Sequence, residues 1–213
     1  MRPTRGLRND QGGNHFLQSF LGLALICAVV AVHGVPAPAS AQESLTGNVN
    51  LFLGGKALDE DDWAPVEDQG EAAIEFDFRP RPWPINMVLG IRKSSDDGTA
   101  FDPIFGSADV EGETSEFNLG IRKIWEELPY IRPFIGGGLA LVDAEYKASF
   151  SFGSASDSDS ALGLWLGGGV YWTVADHLNL GVDLRFSGAD VTLFGVDGKA
   201  GGRHLGVLLG YHF

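Results

Sequence analysis

Ser187, Asp190 and His204 lie close enough along the chain to serve as nucleophile, orienting acid and base of a hydrolase. No local motif accompanies them, and a serine beside a loop and a histidine at a strand start more often line a surface than react. Two acidic groups, Asp59-Glu60-Asp61-Asp62 and Asp157 with Asp159, could offer oxygen ligands to Ca²⁺. Neither has the spacing of a closed calcium loop, so they read as solvated acidic segments that gather divalent ions. Beyond the first 41 residues the histidines are His177, His204 and His212 and there is no cysteine, which argues against a zinc site. The triple glycines Gly136 to Gly138 and Gly167 to Gly169 have no helix after them and are not phosphate loops. On these grounds we expect no catalytic residue, no metal and no cofactor. We also expect that Ser187, His204 and a carboxylate do not converge.

Charge excludes another class of function. The chain has 15 Lys and Arg against 28 Asp and Glu, a net charge of -13, without a basic cluster to attract a nucleic acid. Its 30 glycines are about twice ordinary usage, yet Val, Ile, Leu and Phe remain abundant, so low complexity does not explain them.

Residues 1–41 read as a cleaved export leader: Arg2, Arg5 and Arg8, then the apolar run Phe20 to Val32, then Ala39-Ser40-Ala41 before Gln42. The apolar run is shorter than a spanning helix needs. Residues 42–213 then form one domain that takes its stability from backbone pairing and packing, without disulfides.

That domain alternates with period two in eight segments, and each segment has two chemically different faces. The aliphatic face holds residues such as Val49, Leu51 and Leu53, Leu178, Leu180 and Val182, and Leu205, Val207 and Leu209. The other face carries Glu75, Asp77, Arg92, Glu116, Arg122, Arg132, Asp183 and Arg185 among amides and glycines. Four carboxylates against four arginines can pair inside a narrow barrel while the aliphatic face meets lipid. Glycine on a solvated strand face weakens the strand for no gain, whereas inside a small barrel it makes room for its neighbours.

Connections alternate in length: 79–84, 126–130 and 173–177 are short, whereas 56–70, 94–114, 143–160 and 188–203 are long and polar. Phe150 to Ala161, rich in Ser, Gly and Asp, reads as a mobile exposed loop. Trp83, Trp125, Trp172 and Phe213 recur at intervals of 42, 47 and 41 residues, one step per pair of strands, as an aromatic girdle at one membrane interface would. The fold class is therefore an all-β, antiparallel, up-and-down transmembrane barrel of about eight strands, with short periplasmic turns, long outer loops and a lumen filled by side chains.

The last nine residues, Leu205-Gly206-Val207-Leu208-Leu209-Gly210-Tyr211-His212-Phe213, resemble the C-terminal assembly signal of Gram-negative outer-membrane barrels. Pro133 to Gly138 and the closing Gly-Tyr-x-Phe pattern are similar to the small-barrel group of the outer membrane protein A barrel and its OmpW-like and opacity-like relatives. The resemblance implies an outer-membrane location, insertion by the barrel assembly machinery through Leu205, Val207, Leu209, Tyr211 and Phe213, and contact with lipid and lipopolysaccharide. It points to a non-enzymatic role in membrane integrity or surface interaction through acidic loops. The competing readings are a lipid-modifying hydrolase using Ser187 and His204, and a conduit for hydrophobic solutes opening through the wall.

Overall fold

The computed structural model describes residues 45–102, 106–128, 130–151, 153–174 and 177–213. The leader at 1–41 lies outside them. Eight antiparallel strands close a barrel: β1 (Leu45–Ala57), β2 (Asp68–Pro80), β3 (Asn86–Asp102), β4 (Gly106–Ile124), β5 (Ile131–Phe150), β6 (Gly153–Val174), β7 (Leu178–Gly188) and β10 (Arg203–His212). Each pairs with its neighbour in sequence, and β10 returns to β1 from Asn48↔His212 to Ala57↔Arg203, so no edge strand is left open. The backbone N–H and C=O of Gly47 and Phe213 pair reciprocally at 3.1 and 3.0 Å, which ties down the last residue.

Alternation is realised as read. The mixed face points into the barrel and the aliphatic face outward; Leu164, Leu180, Leu184, Leu205 and Val207 are all exposed, as are Ile91, Phe117 and Ile121. A continuous belt of exposed large aliphatics around a closed sheet is untenable in water and is what a wall facing lipid requires.

Four segments depart from the sequence reading. The supposed loops 94–114 and 143–160 are mostly strand: β3 and β4 stay paired to Asp102↔Gly106, and β5 and β6 to Phe150↔Gly153. Residues 153–161 therefore belong to β6, paired to β5, and are not a free loop. Short polar side chains hide this, because pairing is set by the backbone while the period-two signal needs an apolar face. In 56–70 a single helical turn, α1 (Glu60–Trp63), is capped by Asp59. In 188–203 a small hairpin forms from β8 (Asp190–Leu193) and β9 (Val196–Lys199). Its tip places Phe194 at φ 51° and Gly195 at φ 77°, the paired left-handed geometry of a two-residue hairpin turn.

Both structured connections fold over the mouth at the long-loop end. Leu58, Trp63 and Val66 from the first and Ala189, Val191 and Ala200 from the last pack with inward Val110, Ala140, Val142 and Trp165 into one buried apolar cluster. Inward positions at this end thus include an apolar cluster beside the amides and charges that the sequence suggests. Carboxylates pin the cap: Asp62 accepts from the Lys199 amide at 2.9 Å, Asp159 from the Thr192 amide at 2.8 Å, and Trp63 Nε1 donates to the Lys199 carbonyl at 2.8 Å.

Candidate functional site in the barrel lumen

Below the apolar cap the lumen is filled by charge. Odd positions of β2 and β7 and even positions of β1, β3, β4 and β10 face inward, so one short stretch of each strand contributes an ionisable group. Lys56, Glu71, Glu75, Asp77, Arg92, Glu116, Arg122, Asp183, Arg185 and His204 are all buried.

Glu75 stands at the centre. It pairs with Arg122 at 2.6 Å, with Arg185, and more distantly with Arg92 at 3.9 Å. Arg92 also reaches Asp183 at 3.1 Å and Glu71 at 3.3 Å. Each arginine is stacked as well: Arg92 over Phe52 at 4.5 Å, Arg122 over Phe134 at 4.4 Å and Arg185 over Trp165 at 4.2 Å. Toward the end that holds Leu45 and Phe213, Asp77 accepts from Asn48 at 2.7 Å, Asn86 at 2.6 Å and Arg122 at 3.2 Å. Burying so many ions is costly unless nearly every one has several partners, and here almost all do.

Seven of the eight residues read as a lumen network lie in it. Arg132 does not. It sits near the short-turn end of β5, half-buried and with no ion pair among the described residues, because Asn48, Asn86 and Asn179 already satisfy the groups at that level. The sequence reading misses Lys56, Glu71 and His204 as members. Lys56 holds Glu116 at 2.8 Å and Thr114 at 2.9 Å. Its segment reads as loop in the sequence, and the extra strand length is what turns it inward.

His204 overturns a further expectation. Its Nδ1 lies 2.9 Å from Glu71 Oε2, and its Nε2 lies 2.8 Å from Ser187 Oγ. Serine, histidine and a carboxylate therefore do converge, but the acid is Glu71 of β2. Asp190 points elsewhere, exposed on β8. The serine hydroxyl is also 3.0 Å from Glu116 Oε1 and accepts from the Gly202 N–H at 3.2 Å.

The other residues read from sequence are placed as follows. Trp83, Trp125, Trp172 and Phe213 are exposed, with Trp83 and Trp125 in or beside the short turns at the end that carries Leu45 and Phe213. Leu205, Val207, Leu209 and Tyr211 point outward from β10, which closes the ring on β1. Asp59 bonds the Lys199 ammonium at 3.0 Å, and Asp157 and Asp159 accept from backbone amides. Asp59, Asp62, Asp157 and Asp159 thus serve as loop anchors.

No protein-family model matches this sequence, and no curated protein does. Solved structures do. Ail, the attachment invasion locus protein of Yersinia pestis, in complex with the heparin analogue sucrose octasulfate, aligns over 80% of this chain and 99% of its own at 14% identity and a TM-score of 0.52. Neisserial surface protein A aligns over 79% and 97% at 10% identity and a TM-score of 0.54. A major outer membrane protein of Thermus thermophilus aligns over 79% and 99% at 13% identity and a TM-score of 0.50. With eight strands closed in sequence order, an aliphatic outer belt and this likeness, the chain has the fold of the small outer-membrane β-barrels.

Proposed function

We propose that this chain is a closed barrel of the outer membrane, exported through residues 1–41 and inserted by the assembly machinery that reads Leu205 to Phe213. Its wall supports membrane integrity, and its loop end faces outward to meet lipopolysaccharide and the surroundings. The observation that carries this reading is the filled lumen: ion pairs of buried residues below, and an apolar cap of buried residues above. A barrel of eight strands leaves space for side chains and little more. The outer surface of the cap is acidic, with Asp59, Glu60, Asp61 and Asp62 on the first connection, so a sulfated sugar of the kind bound in the Ail complex is a poor match for it. Divalent cations bridging these acids to lipid phosphates fit better.

Planar-bilayer recording tests the closed lumen. Purified folded barrel should give no stable large conductance, and a steady open channel would sink the proposal. Orientation is read by cysteine labelling in whole cells: a cysteine at Ser156 should react with an impermeant reagent and one at Arg81 should not. Ala175, an alternative marker for the short-turn end, lies outside the described residues.

A further inference from the structure

We infer that Ser187, His204 and Glu71 form an acyl-ester hydrolase site whose substrate is a fatty-acyl ester of lipopolysaccharide, entering from the membrane through a groove in the barrel wall. The inference rests on the outward orientation of the loop end proposed above.

Three independent observations meet at Ser187. The first is the hydrogen-bonded series itself, Ser187 Oγ to His204 Nε2 at 2.8 Å and His204 Nδ1 to Glu71 at 2.9 Å, joining β7, β10 and β2. Nucleophile, base and orienting acid stand in the order that acyl transfer requires, whatever fold supplies them. The second is access. Ser187 is partly exposed and lines an open cavity of about 1340 Å³, which runs from Leu162, Leu164, Leu166 and Phe186 of the lipid-facing wall to Asp59, Glu60, Asp190 and Lys199 of the cap. Gly188 adjoins it, and a Cβ on Gly188 would meet nothing within 4 Å, so the aliphatic wall has a notch beside the serine. The third is depth. β7 has 11 residues, the length of a spanning strand, and Ser187 is its penultimate one. That level is the membrane interface, where the acyl esters of a lipid lie. Arg203 is exposed at the same rim and has no ion pair among the described residues, so it can take a lipid phosphate.

The reaction is hydrolysis. The Ser187 proton has two acceptors, Glu116 in a resting arrangement and His204 Nε2 when the imidazole is neutral; the reaction starts from the second. As that proton moves to Nε2, Oγ bonds to the ester carbonyl carbon. The ester C–O bond breaks, and the leaving alkoxide takes the proton back from Nε2. Water, deprotonated by His204, then attacks acyl-Ser187, releasing a fatty acid and the free hydroxyl. The Gly202 N–H donates to Oγ at 3.2 Å and helps to hold the hydroxyl in place. Glu71 is a positioning residue that holds the imidazole through Nδ1.

The test uses the full barrel, refolded and heat-modifiable, in vesicles of lipopolysaccharide and, separately, of phosphatidylethanolamine, with released fatty acid measured by mass spectrometry. Release should occur from lipopolysaccharide and fall at least 100-fold in Ser187→Ala. Glu71→Gln should lower kcat about tenfold or more at unchanged KM, measured per folded molecule because Glu71 also pairs with Arg92. A fluorophosphonate should label Ser187 in the parent. Gly188→Trp, which fills the notch without touching the three residues, should cut lipid turnover tenfold and leave that labelling intact. No release from either vesicle together with no adduct on Ser187 would overturn the activity. Release from phosphatidylethanolamine alone would overturn the substrate assignment. Release from vesicles does not depend on orientation in cells, so labelling at Arg81 in place of Ser156 would defeat the outward reading independently of the chemistry.

Discussion

Lys199 and Asp59 show how one exposed pair can be checked directly. The Lys199 ammonium hydrogen-bonds the Asp59 carboxylate at 3.0 Å, and the Asp61 amide adds a second donor; together they hold the Asp59 carboxyl below its ordinary value. A depressed carboxyl keeps its partner at every pH above its midpoint and releases it as pH falls through that midpoint, so the contact between first and last connections should loosen only below about pH 4. NMR titration should place the Asp59 midpoint under that of a free aspartate, and Lys199→Met should move it upward. A midpoint unmoved by Lys199→Met would show that the pair is not the cause. Deeper in the barrel the stakes are larger. Removing Glu75 leaves the buried guanidinium of Arg122 with Asp77 as its remaining acid and that of Arg185 with only the distant Asp183. Glu75→Ala should therefore cost about 3–5 kcal/mol in urea unfolding. Stability equal to the parent would mean that these pairs merely occupy space.

Strands differ in how much of their length the membrane needs. β7 and β10, with 11 and 10 residues, are spanning length, whereas β4, β5 and β6 run to 19, 20 and 22 and continue past the aliphatic belt as a polar ladder. Gly163 marks a close approach of this extension to the end of β7. A side chain there would collide with the Gly188 carbonyl, so β6 can pass only as glycine. Within the belt, Leu180 points outward from β7, and Leu180→Arg should cost about 2–4 kcal/mol in a bilayer if it sits near the midplane. Vesicle unfolding that shows no loss would place Leu180 at an interface or in contact with protein.

Closure makes the molecule one cooperative unit. β10 pairs with β7 on one side and β1 on the other, so the last strand removes both edges at once. Deleting Phe213, whose backbone bonds Gly47 and whose ring is exposed beside that junction, should lower the outer-membrane level and leave periplasmic, protease-sensitive chain. Undiminished heat-modifiable barrel in the outer membrane would show that the terminal aromatic is dispensable. The cap and the network depend on closure too. Lys56 and Glu116 belong to β1 and β4 and meet across the lumen, a pairing that the closed ring brings together.

Alternation is a local property, and together with the composition of the two faces it determined which face of each strand turns inward. Val49, Leu180 and Leu205 declare themselves lipid-facing, and Glu75, Arg122 and Asp183 lumen-facing, because successive side chains on a strand must alternate. Strand order and closure followed from the short turns and from the final apolar strand. Partnership across the lumen was decided only by tertiary structure. Which acid meets His204 depends on the register of β10 against β1 and of β1 against β2, which together bring Glu71 to the ring while leaving nearby Asp190 on the outside. The polar ladder of β5 and β6 and the folding of two connections over the mouth were hidden for a related reason. Backbone pairing and long-range packing leave no periodic apolar mark where the side chains are Ser, Asp and Gly.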